Sequence, residues 1–228
     1  MNRYPLLPVT PGVSLLALDL RRWSASASWP AILLILGLAT LPFALSPYVP
    51  ALLPAMICGI VVAEGEFMDM FGSREREYLK FASLPVHPRA LIFGKGISAM
   101  LKATLGALMV GTLHLWFAAS RPAFFTVVSD ALGFLAALPL LLQVGASASL
   151  QALRSPHEGM LDPIVRAFML FLAGIICGIP SALLLVFSGS WVVLLLFALL
   201  SLAGWAIVGT PATVRSLDRW NHSPGYDA

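Results

Sequence analysis

Glu64, Glu66 and Asp69 are the first group in the chain whose types would suit acid–base or metal chemistry. Glu66 and Asp69, three apart, share a helical face, whereas Glu64 and Glu66 point apart. No histidine lies near them in sequence, so a charged helix end is the simpler reading. His114 stands in an apolar run and reads as a packed or interfacial residue, and His157, Glu158 and Asp162 share a polar loop and read as solvated. Cys58 and Cys177 lie singly in apolar runs, without CxxC or Cys/His spacing, and read as small hydrophobes. Gly94-Lys95-Gly96-Ile97-Ser98 invites a phosphate-loop reading, but the pattern needs glycine where Arg89 stands and Ser or Thr where Gly96 stands. Lys95 fits better as a snorkelling anchor at the start of a membrane helix. No nucleophile-plus-base pattern stands out, and no catalytic residue or metal ligand is assigned.

The elements that must position these residues are apolar. The chain has 228 residues, 59% of them hydrophobic and 11% charged, with mean hydropathy +0.88. Soluble domains carry roughly 25% charged residues, so composition excludes a water-soluble globule and points to an all-α integral membrane protein. A net charge of +3 gives no reason to expect a nucleic-acid partner. No removable signal peptide is evident.

A spanning helix needs about 20 mostly apolar residues, and six segments qualify. They run from about Trp29 to Leu45, Tyr48 to Phe67, Ile92 to Ala119, Phe124 to Leu150, Ile164 to Phe187 and Trp191 to Gly209. Pro50 falls in the first turn of the second, where proline is tolerated, and Pro54 is expected to bend it. The polar link QALRSPHEGMLDP follows the fourth, Ser188-Gly189-Ser190 turns the fifth into the sixth, and Pro211 is expected to end the sixth. Residues 1–28 form an N-terminal segment, 29–209 a six-helix domain with a long loop at 68–91, and 210–228 a polar tail. Within the first segment, Leu16, Leu20, Arg21, Arg22 and Trp23 make a short amphipathic helix suited to the membrane interface, with Trp23 at headgroup depth and the arginines toward anionic lipid. With the N-terminus inside, all but Arg121 of the 14 Lys and Arg fall on one face. That asymmetry places both termini and the 68–91 loop in the cytoplasm, in a multi-pass protein of the cell (inner) membrane.

The loop is the one long charged stretch. Ser73 can cap a helix carrying Arg74, Glu75, Arg76 and Glu77; Tyr78, Phe81 and Ala82 form its apolar face while Arg76, Glu77 and Lys80 stay wet. Pro85 and Pro88 are expected to stop it. The order Glu75-Arg76-Glu77-Tyr78-Leu79, Ser83-Leu84-Pro85-Val86, Arg89, then Gly94-Lys95 opening a membrane helix, resembles the ABC-2 family of ABC transporter permeases. The motif occupies about twenty residues, but the resemblance in layout covers nearly the whole chain, including an amphipathic helix before the first span.

The resemblance implies that the short helix is the coupling helix, docking on a separate ATPase subunit through Arg74, Glu75, Arg76, Glu77, Tyr78, Lys80, Phe81 and Ser83, with Pro85 and Arg89 shaping its exit. It implies that this chain binds no cofactor itself, ATP and Mg residing on that ATPase. It also implies pairing with a second permease subunit, identical or related, in which the Gly174/Gly178 pair of span five is a candidate contact. GxxxG spacing by itself permits close packing within one bundle. The chain departs from many family members in having only Ser188-Gly189-Ser190 between spans five and six. The function implied is the membrane-spanning subunit of an ATP-driven exporter, with hydrophobic or amphipathic substrates. The alternative is a stand-alone carrier or membrane-embedded enzyme. Such proteins keep ionisable groups at mid-membrane, and here those are sparse: Lys102 early in span three and Asp130 early in span four. Pro30, Pro42, Pro54, Pro139 and Pro180 are candidate bends.

Overall fold

A computed structural model describes residues 17, 20–21, 23–25, 28–44, 53–68, 88–117, 124–154 and 190–221. All of them except Ser190 are helical. The elements are α1 (Ser28–Ala44), α2 (Leu53–Met68), α3 (Pro88–Phe117), α4 (Phe124–Arg154) and α5 (Trp191–Gly204). A single π turn at Trp205–Gly209 follows α5 and leads into α6 (Thr210–Asn221). Three stretches are long and apolar enough to cross a membrane: Pro88–Phe117, Phe124–Ser147 and Trp191–Ser216. Trp29–Pro42 and Pro54–Ala63 are shorter apolar helices. Large apolar side chains such as Ile35, Leu38, Leu199, Leu200 and Ile207 point outward, as expected where lipid replaces water around the bundle. The chain is a membrane-embedded helical protein.

Close approaches fix the helix directions. Gly106 of α3 faces both Leu33 and Val62, Gly37 faces Val110 and Leu113, and Thr40 meets both His114 and Cys58. Rising numbers on α1 therefore match rising numbers on α3 and falling numbers on α2, so α1 and α3 are parallel and α2 runs against them. Only residues 118–123 separate α3 from α4, too few to return along a 30-residue helix about 45 Å long, so α4 runs antiparallel to α3. Ala136 is opposite Ser201, and Gln143 is opposite Gly209 and Thr213, which makes α4 and the α5–α6 rod parallel. One end of the bundle thus collects Ser28, Met68, Pro88, Arg154 and Asn221; the other collects Ala44, Leu53, Phe117, Phe124 and Trp191.

Small residues set the tightest seam. A Cβ on Gly59 would run into the carbonyl oxygen of Ala103 and come within 2.9 Å of Ala107. Ala63, Ala99 and Ala103, all fully buried, continue that seam into a core with Ile92, Phe134, Leu138, Leu142 and Trp205.

Prolines behave differently from the sequence expectation at Pro88 and Pro211. The carbonyl opposite Pro54 in a helix would be that of Pro50, which lies outside the described residues together with the rest of 45–52, and the expected bend falls there with it. Pro88, expected to stop a helix, already belongs to α3, four residues ahead of the expected start of that span. Pro211 does not end the sixth span: it lies in the first turn of α6, which runs on from the π turn without a break. There the backbone N–H of Thr210 reaches back five residues to the Trp205 carbonyl, and the Thr210 hydroxyl donates to the same oxygen at 3.2 Å. The widened turn gives the Pro211 ring room that a regular turn would deny it against the Ile207 carbonyl. Helix therefore continues across the boundary expected at 209/210. Similarly, α4 extends through Arg154, four residues past the expected end of the span, because Gln151-Ala152-Leu153-Arg154 are all strong helix formers.

Candidate functional site

Three polar features lie inside this apolar bundle. The first joins α1, α2 and α3. The Thr40 hydroxyl donates to the Leu36 carbonyl at 2.7 Å, the ordinary back-bond of a helical threonine. That leaves its oxygen free to accept, and two groups address it: His114 Nε2 at 3.2 Å and Cys58 Sγ at 3.6 Å. His114 Nε2 also lies 3.1 Å from the Gly37 carbonyl, which can only accept, so Nε2 carries a hydrogen. His114 is 0% exposed, and its Nδ1 is buried with no hydrogen-bond partner. The arrangement pins three helices together near the end formed by Ala44, Leu53 and Phe117. His114 was expected to be a packed or interfacial residue, and it is packed; Thr40 carried no signal beyond being a lone hydroxyl in an apolar run.

The second feature is on α3. Lys95, Ser98 and Lys102 recur at helical spacing on one face, Lys95 half-buried and Ser98 fully buried. Lys102 is 2% exposed and is the fifteenth of the 30 residues of α3. Because α3 begins at Pro88, Lys102 sits about 21 Å along it, deeper than its early place in the expected span.

The third feature surrounds the π turn. Trp205, 5% exposed, lies flat against α3: its ring stacks on Phe93 with centroids 5.6 Å apart and occupies the space that a Cβ on Gly96 would need. The Thr213 hydroxyl donates to the Gly209 carbonyl at 2.9 Å, and Gln143 Nε2 donates to Thr213 Oγ1 at 3.2 Å. Gln143 Oε1 is buried without a partner. About two turns farther toward the end formed by Phe124 and Trp191, the Ser201 hydroxyl donates at 2.8 Å to the Ala136 carbonyl, next to the Leu135 carbonyl that Pro139 leaves without its helical donor. Sequence reasoning passed over Gln143 and Thr213; an amide within the apolar run of span four was the available signal.

Of the residues singled out from sequence, Arg89 is the second residue of α3 and is exposed at the end that collects the charged residues. Arg74, Glu75, Arg76, Glu77, Tyr78, Lys80, Phe81, Ser83 and Pro85 lie outside the described residues, as do Asp69, Leu16, Arg22, Gly174 and Gly178. Leu20, Arg21 and Trp23 are helical; Arg21 is exposed and Trp23 stacks on Trp29 at 4.4 Å between centroids. Glu64 and Glu66 are on the C-terminal part of α2. Among the described residues, no three His, Cys, Asp or Glu gather as a metal site would require.

Fold and interior together define a membrane-embedded helical bundle cross-linked by buried polar contacts, in which Arg89, Lys95, Arg154 and Arg215 lie toward one end. Comparison with family models, curated proteins and solved structures finds no match to this chain.

Proposed function

We propose that this chain is the membrane-spanning permease subunit of an ATP-driven transporter resembling the ABC-2 type. In this reading it has six spans, lies in the cell (inner) membrane with both termini cytoplasmic, and pairs with a second permease subunit. It exports a hydrophobic or amphipathic substrate, and hydrolysis of ATP with Mg takes place on a separate ATPase subunit. The carrying observation is the one-sided gathering of charge. Arg89, Lys95, Arg154 and Arg215 all lie toward the end of the bundle formed by Met68, Pro88, Arg154 and Asn221. The segment with Arg74 to Ser83 joins Met68 to Pro88, both at that end, and the helices it joins, α2 and α3, pack closely along Gly59 and Ala103. Force applied to such a loop acts directly on two core helices, as a coupling segment requires. Support for the six-span count comes from direction. α4 and α5 are parallel, so Arg154 and Trp191 lie at opposite ends, and a return crossing through the apolar residues 164–187 satisfies the topology.

The tagged chain, purified in mild detergent, should bring down a stoichiometric ATPase, identified by mass spectrometry. The Glu75→Lys/Glu77→Lys/Tyr78→Ala variant should insert normally and lose that partner. Recovery of the chain alone, under conditions that keep a known ABC complex intact, refutes the reading. One observation favours the second reading, a stand-alone carrier or membrane-embedded enzyme: Lys102 is an ionisable group buried at mid-helix, where such groups mark ion or substrate pathways.

A further inference from the structure

We propose that the π turn at Trp205–Gly209 is a joint about which α6 takes two rotational registers, the described one being held by a latch between Gln143 and Thr213. A π turn holds one residue more than a regular turn. Taking up that residue would rotate everything after it by about 100° and advance it by about 1.5 Å. The joint is bounded by Gly204, whose Cβ position meets nothing within 4 Å, and by Gly209. Both flanks are therefore free of side-chain bulk of their own.

The described register is held by contacts from neighbouring helices. Trp205 is seated on Gly96 and Phe93 of α3, and it anchors the first residue of the turn. Beyond the turn, the Gln143 amide of α4 donates to Thr213, whose hydroxyl in turn donates to the Gly209 carbonyl. Rotation of α6 by one residue would carry Thr213 away from Gln143 while leaving Trp205 in its seat.

Two features set the balance between registers. Pro211 favours the wide turn, because a regular one presses its ring on the Ile207 carbonyl. Against it, and against the Gln143–Thr213 bond, stands the other atom of the amide: Gln143 Oε1 is buried and receives no hydrogen bond, so a rearrangement that supplies a donor is favoured. The moving part is a twelve-residue helix at the charged end with Arg215 on its exposed side. It touches α3. The inference concerns the helix alone and stands whether or not the chain serves a transporter.

Spin labels at two exposed positions, Ser147→Cys on α4 and Ala212→Cys on α6, read the register in the full chain. They are introduced with Cys58→Ser and Cys177→Ser and measured in lipid nanodiscs by pulsed dipolar spectroscopy. Two distance populations are expected in this background. Thr213→Val, which removes the latch, should shift their ratio toward the rotated register by about fivefold, the usual worth of one such bond. Pro211→Ala should shift it the same way, and it decides the matter if the Thr213 variant does not fold. A single population in the labelled background, or a ratio unmoved by either substitution, overturns the proposal.

Discussion

Gly59→Ala tests the seam on which the bundle is built. An added methyl meets the Ala103 carbonyl oxygen and lies 2.9 Å from both the Cβ and the backbone nitrogen of Ala107. Two of these three atoms belong to the backbone of a 30-residue helix, which cannot swing aside as a side chain would. Restoring ordinary contact, at about 3.5–4.0 Å, parts α2 from α3 by roughly 1 Å. Overpacking of this kind costs about 1–3 kcal/mol, and the upper part of that range applies because Leu33 of α1 rests on the same crossing at Gly106. Alanine gains about 1 kcal/mol over glycine in a helix interior, so the net loss is about 2 kcal/mol. For a chain of this size that is a fall in Tm of about 4–8 °C. Cys58, adjacent to the substitution and 1% exposed, supplies the assay: in a Cys177→Ser background a thiol-reactive dye labels it only as the bundle opens. The propensity gain and the steric loss have opposite signs. An unchanged or raised midpoint would refute the close crossing.

Three further substitutions use the same labelling assay. Gly204→Ala adds a methyl where nothing lies within 4 Å, so only the propensity gain remains and stability should rise by about 1 kcal/mol. Leu142→Ala empties a fully buried position between Ala99, Met100 and Trp205 and should cost about 2–5 kcal/mol; a loss under 1 kcal/mol would show that the site is not close-packed. Thr40→Val keeps the shape but removes the oxygen addressed by His114 and Cys58. It should cost about 1 kcal/mol and speed dye reaction with Cys58, and an unchanged rate would argue against the link between α1 and α2.

The apolar runs made the membrane-embedded helices legible, because about 20 residues of uninterrupted hydrophobicity leave few alternatives. Trp191 begins its helix directly after Ser190, where the polar turn predicted. The proline errors share one cause. What a proline does depends on whether its absent N–H had a partner in that turn, and the π turn ahead of Pro211, where Trp205 is seated on α3, gave no sign in the sequence. The polar contacts were illegible for a different reason. Thr40 and His114 are 74 residues apart, and Gln143 and Thr213 are 70 apart. Each reads alone as an isolated polar residue, and only the parallel or antiparallel course of the helices brings them together.

The burial of Lys102 bears on how the protein is made. A lysine at the centre of a lone helix entering a bilayer is disfavoured by roughly 2.5–3.5 kcal/mol, and α3 carries Lys95 two turns earlier as well. In the finished bundle Lys102 is shielded, with Ala63 of α2 packed beside its neighbours Ala99 and Ala103. Insertion of α3 is thereby eased by the helix synthesised just before it, because contact with α2 removes part of the cost that Lys102 would carry against lipid. A nascent chain carrying α3 without α2 should therefore insert α3 less completely than the full chain does, a difference that a glycosylation-mapping assay reads, so the order of synthesis bears on how a lysine is tolerated there.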